Sequence, residues 1–191
     1  MILKPLETKL LPPIAFASSG DAPLPHPDRV DPIGNRANLN RPTGGLWCAP
    51  VTAWAADGSP AGTTWTDWCA DPGDPTGQPS EYLARCTHLI LVEPLPGAQI
   101  YPINTADDLD QLVEEFPLPP GHPMRDTTPN WEALAGADWD AVYVSPAGIA
   151  ANAERIPVFT PSLANWDSAS VLWLRPAYRL PQEQWHPVAA R

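Results

Sequence analysis

Arg41-Pro42-Thr43-Gly44-Gly45-Leu46-Trp47 concentrates the residue types that could do chemistry in this 191-residue chain. Paired glycines let a backbone approach a flat polar object closely, or adopt positive φ in a tight turn. Trp47 can stack on that object or cap a core. Arg41 can grip a phosphate or remain solvated. Further along, Trp65 and Trp68 form a second aromatic pair, and Asp167 follows Trp166 directly. Asp167 can serve as a catalytic carboxylate, or accept local backbone hydrogens at the start of a strand.

Other chemistry is excluded by spacing. The cysteines, Cys48, Cys69 and Cys86, include no C-x-x-C pair, and His26, His88, His122 and His186 are scattered. Neither a zinc site nor a disulfide framework follows, and buried thiols in a reducing compartment are expected. No metal ligand set is assigned. No Gly-x-Ser-x-Gly elbow supports a serine nucleophile, and no glycine-rich phosphate loop is present.

The elements that must position these residues are short. Leu10 to Ala17 reads as an extended strand, and Asp21 to Asp31 as a proline-punctuated loop. Residues 46–54 alternate as a strand. Thr63 or Thr64 caps a short helix carrying Trp65, Trp68 and Cys69 at i, i+3, i+4 spacing. Asp71 to Pro79 is a loop, after which Ser80 caps a second short helix with Tyr82, Leu83 and Cys86. Strands follow at His88–Val92 and Gln99–Ile103. Thr105 then caps the best helix, with Leu109, Leu112, Val113 and Phe116 inward and Asp107 and Asp108 in its first turn. Thr128-Pro129 opens a helix around Trp131 and Leu134. Trp139 to Val144 is a strand, Ser145-Pro146 opens another helix, and Ser168 to Leu174 is a strand with Val171 and Trp173 on one side. Too few helices are long enough for repeated parallel βαβ units. The expected fold is therefore α+β, with two small, mainly antiparallel sheets and short flanking helices. Residues 1–40 form a proline-rich arm with the first strand, 41–175 the domain and 176–191 a tail.

Composition limits the partners. There are 27 prolines, far above the roughly 5% of average usage, and they stand singly between apolar runs. Nine tryptophans argue for a packed core. The formal charge is −11, and between Asp57 and Asp140 the only bases are Arg85 and Arg125. That excess argues against nucleic acid or an anionic membrane as partner and leaves a solvated face or a docking face for a basic protein. No apolar run approaches the ~20 residues of a membrane span, and the N-terminus lacks a signal-peptide core. Synthesis in the cytoplasm is expected.

Several of these pieces, in order, resemble ADP-ribosyltransferase-like proteins of actinobacteria and their phages. They are Arg41-Pro42-Thr43-Gly44-Gly45-Leu46-Trp47, Thr64-Trp65 with Trp68-Cys69, Trp131-Glu132-x-Leu134 leading to Asp140-Ala141-Val142-Tyr143, and Trp166-Asp167 ahead of Ser170-Val171-Leu172-Trp173. The resemblance spans roughly residues 10–175. It implies two small sheets around a cleft for NAD, with Arg41, Gly44, Gly45 and Trp47 as cofactor-binding candidates and Asp167 as the catalytic candidate. It also implies an arginine or histidine on the first strand, a serine two residues after the signature tryptophan, and a glutamate near the last strands to stabilise a cationic ribose. Here Leu10 to Ala17 carries neither base, Ala49 stands at the serine position, and Ala169 stands where the glutamate belongs.

The expected function is accordingly a structural or interaction protein on this scaffold, with an inactive site and no cofactor. It would bind other proteins as a component of a large assembly such as a phage particle, as a head or decoration protein. The alternative is an active NAD-dependent mono-ADP-ribosyltransferase with a rearranged site.

Overall fold

The structure, a computed structural model, describes residues 4–36, 39–71, 79–153, 155–156, 160–163 and 166–189. In chain order its elements are β1 (Ile14–Ser18), β2 (Gly34–Arg36), β3 (Leu39–Thr43), β4 (Leu46–Trp54), β5 (Pro60–Thr63), α1 (Thr64–Ala70), β6 (His88–Pro94), β7 (Ile100–Ile103), α2 (Ala106–Glu115), α3 (Trp131–Gly136), β8 (Ala141–Val144), α4 (Pro146–Asn152), β9 (Ser170–Trp173), β10 (Tyr178–Arg179) and β11 (His186–Pro187).

Local chemistry explains the helix starts. Thr63 and Thr66 form a reciprocal capping box at α1, with Thr66 N–H to Thr63 Oγ1 at 3.2 Å and Thr63 N–H to Thr66 Oγ1 at 2.9 Å. Thr105 and Asp108 do the same at α2. Ser145 caps α4 and Pro146 occupies its first turn, where no amide hydrogen is required. Two expected starts shift. α3 begins at Trp131 under Asn130, whose Oδ1 accepts from Ala133 N–H at 3.1 Å, so Thr128-Pro129 lies outside the helix. The segment after Ser80 makes only a three-residue 3₁₀ turn, Leu83–Arg85. Most of the loop expected at Asp71 to Pro79 lies outside the described residues.

The sheet differs from the expected pair of small antiparallel sheets. Nine strands join in one mixed sheet, in the order β10-β6-β1-β4-β9-β8-β7, with β11 also on β6 and β5 also on β4. β2 and β3 make a separate two-stranded ribbon. The cause is β4, which pairs with β9 through Leu46–Cys48, with β1 through Ala49 and Pro50, and with β5 through Val51, Ala53 and Trp54. One strand thus fuses what would otherwise be two sheets. β7 and β8 run parallel, which requires a long crossover, and residues 104–140 with α2 and α3 supply it. Residues 1–40 contribute β1 to the middle of this sheet, and residues 176–191 contribute β10 and β11.

β7, β8 and β9 are buried throughout and, apart from Ser170 at the start of β9, carry apolar or aromatic side chains, because both of their faces are covered. Ile100, Ala141, Tyr143, Val171 and Trp173 pack into one core with Ile14, Leu46, Val92 and Tyr178. Tyr101, Ile103, Val142, Val144 and Leu172 pack into the other with Leu109 and Leu112 of α2, Trp131 and Leu134 of α3, and Trp166.

The β2–β3 ribbon is fastened to α3 by polar contacts. Asn35 Oδ1 accepts from Trp131 N–H at 2.8 Å, and Asn35 Nδ2 donates to Asn130 Oδ1 at 2.9 Å. The indole N–H of fully buried Trp131 donates to Asn40 O at 2.8 Å. These contacts fix β3 and therefore Arg41.

The Gly-Gly turn links the ribbon to β4. Gly44 and Gly45 have φ of 74° and 69°, and Gly45 N–H donates to Asp31 O at 2.8 Å. A Cβ on Gly44 would lie 1.9 Å from Pro32 O. Gly44→Ala should therefore cost at least ~2 kcal/mol, from left-handed strain plus displacement of the 31–33 segment. Gly58→Ala shares the positive φ (82°) but meets nothing within 4 Å, and should cost clearly less. Urea midpoints of the two variants measure the difference.

Candidate functional site

Where β3, β4, β1 and the approach to β9 converge, a cleft of about 160 Å³ opens. Its walls are Ala15, Phe16 and Ala17 of β1, Arg41 of β3, Trp47, Cys48 and Ala49 of β4, Trp65 of α1, and Trp166, Asp167, Ser168 and Ser170. The structure thus brings together Arg41, Trp47 and Asp167, which are far apart in sequence. Gly44 and Gly45 lie outside the lining; their close approach is to the backbone of Asp31 and Pro32 and to Leu172 and Trp173.

The aromatic wall is a chain of contacts. Trp166 meets Trp47 edge-on, with centroids 4.7 Å apart at 62°, and stacks on Trp131 at 5.7 Å and 29°. Trp47 Nε1–H donates to Gly44 O at 3.1 Å, so the Gly-Gly turn fixes the indole plane. The guanidinium carbon of Arg41 lies 4.2 Å from the centroid of the Trp47 ring. Such a contact contributes roughly 0.5–2 kcal/mol, more as water is excluded. On the opposite side Trp65 stacks on Trp68 at 5.1 Å and 15°.

Electrostatically the cleft pairs one cation with one anion. Burial lowers the Arg41 pKa and the charge of Asp167 acts against that shift. Asp167 is exposed at the rim, and the two charges attract without an ion-pair contact among the described residues. Water therefore screens the attraction.

The position matched to the missing glutamate behaves differently from its neighbours. Ala169 is buried and absent from the lining, and its carbonyl accepts from Thr64 Oγ1 at 2.7 Å. Ser168 and Ser170 line the cleft instead, and Ser170 Oγ donates to Ser168 O at 3.0 Å. Ala49, matched to the missing serine, does line it.

A nucleophile–base pair is not found among the lining residues. No histidine reaches the cleft, and burial pushes the pKa of Cys48 strongly up, so its sulfur stays a thiol. Among the described residues no cluster of His, Cys, Asp or Glu could hold a metal ion. No helix there is long and apolar enough to cross a membrane.

Phe16 and Trp166 as cleft walls went unrecognised as site residues in the sequence. Phe16 lies in a strand whose register with β4 is set by long-range pairing, and no local pattern marks it. Trp166 was marked only by its place before Asp167.

The thiol and phenol environments give a pH dependence. Burial raises Cys69 from 9.0 to about 12 and Tyr178 from 10.0 to about 12. Unfolded thiols and phenols lose their protons first, so folding takes up protons in that range. Stability should be full below pH 9 and fall as pH climbs toward about 12, which urea melts across this range would show. Comparison with protein-family models, with curated proteins and with solved structures finds no match for this chain.

Proposed function

We propose that this protein is a structural or interaction component built on an ADP-ribosyltransferase-like scaffold, with a cleft that no longer carries out transfer. The observation that carries this reading is the Arg41 guanidinium lying 4.2 Å over Trp47. It occupies the aromatic face on which a nicotinamide ring would stack. The cleft's size supports the same reading. Pockets that enclose drug-sized ligands run to roughly 300–1,000 Å³, whereas this cleft holds about 160 Å³, room for one ring and not for a dinucleotide. Alanines line the first strand and the position after Cys48, where donors to a pyrophosphate would be needed.

Binding then falls to the surface. Asp107, Glu114 and Glu115 are exposed on α2. Asp110 on the same helix is engaged by Arg155 through two hydrogen bonds. The acidic middle of the chain suits a basic protein partner within a larger assembly, such as a phage particle.

A second reading has one observation in its favour. Asp167 and Arg41 face the same open groove, the arrangement an NAD-dependent mono-ADP-ribosyltransferase would use to stabilise a cationic ribose and hold phosphate. Thermal denaturation separates the two. A ligand that binds only the folded state stabilises it by RT ln(1 + [L]/Kd). Millimolar NAD is expected to leave Tm unchanged, in the parent chain and in Asp167→Asn alike. A dose-dependent rise that Arg41→Ala abolishes would show that the cleft binds NAD and overturn the reading of a cleft closed to the cofactor.

A further inference from the structure

Two opposite charges line the cleft and do not meet. Arg41 is half-buried, its guanidinium carbon 4.2 Å from the centre of the Trp47 ring. Asp167 is exposed at the rim of the same cleft. No nitrogen–oxygen contact within 4.0 Å joins them. Among the described residues neither side chain makes an ion pair or a hydrogen bond elsewhere. Between the charges the walls are apolar and aromatic, with Phe16, Trp65 and Trp166 around a volume of about 160 Å³. These features select the occupant. An anion alone would face Asp167, and a cation alone would face Arg41. A neutral apolar molecule would strip water from both charges and give neither a partner. A molecule carrying both charges on a small body satisfies both ends.

We propose that the cleft binds a free α-amino acid with a one-ring apolar side chain, its carboxylate on Arg41 and its ammonium on Asp167. The two charged groups of such a ligand share one carbon, so it bridges a gap that a direct ion pair leaves open. Arg41 is suited to the carboxylate. Its guanidinium face lies on Trp47, while the N–H donors point outward along its edge, in the plane that a carboxylate engages with two hydrogen bonds. At the rim, Asp167 accepts from the ammonium. The ring enters among Phe16, Trp65 and Trp166, and the cleft has room for one. Filling the cleft expels water, which strengthens both charge pairs over the screened attraction they replace. No bond is made or broken. The proposal gives the cleft a small ligand, beyond the structural role proposed for the chain.

The test is an NMR titration of the full chain with L-phenylalanine, followed at the tryptophan indole N–H signals. Saturable movement of Trp47, Trp65 and Trp166 is expected at millimolar ligand, with the buried Trp173 unmoved. Two analogues each lack one charge: 3-phenylpropionate has no ammonium, and phenylalaninamide has no carboxylate. Each should bind at least roughly tenfold more weakly, for the loss of one charge-assisted pair. Asp167→Asn changes an exposed residue and keeps its shape. It should erase the preference for L-phenylalanine over 3-phenylpropionate. Absence of saturable movement, equal affinity for either analogue in the parent chain, or a preference that survives Asp167→Asn would overturn the proposal. NAD is absent throughout, so this result is read separately from the thermal test of the cofactor.

Discussion

The architecture depends on β4 pairing with three strands along its nine residues. A strand that hands over from β9 to β1 within two residues must carry small or flat side chains at the junction. Cys48 and Ala49 fill that role, with Trp47 just before them. The cleft lies at this handover, lined by Trp47, Cys48 and Ala49. Its floor is β4, one side is β1, and the other is the approach to β9. The same junction that gives the sheet its continuity therefore determines which residues can face a ligand.

Around it, polar contacts orient what packing alone would leave free. Asn35, Asn40 and Asn130 bind the β2–β3 ribbon to α3 and to the buried Trp131 indole. Through Trp131 and Trp166 this clamp reaches Trp47, and through β3 it reaches Arg41. A cation stacked on an indole is well placed only when both backbones are fixed, and both are here. The cost of partly burying Arg41 is offset by the ring and, weakly, by the exposed carboxylate of Asp167. What results is an indole face covered by Arg41 beside a small groove.

Much of this was legible in the sequence. The threonine and serine caps placed α1, α2 and α4, and the apolar runs placed β6 to β9, because those signals are local. Arg41, Trp47 and Asp167 stood out by residue type, and they share the cleft. Other features depended on distant pairing. The ribbon of β2 and β3 had no alternating pattern, since Asn35 and Asn40 are chosen for contacts near 100 residues away. The single mixed sheet could not be read from short strands, because the fusion occurs within β4. The parallel β7–β8 pair was masked by modest helices, although α2 and α3 together span the crossover.

The central claim is that the Arg41–Trp47 stack closes the cleft to a dinucleotide. Its most direct test is an NMR titration of the tryptophan indole N–H resonances with NAD. The account requires the signals of Trp47, Trp65 and Trp166 to stay in place up to millimolar cofactor. Saturable movement of those three, absent from the buried Trp173, would contradict it.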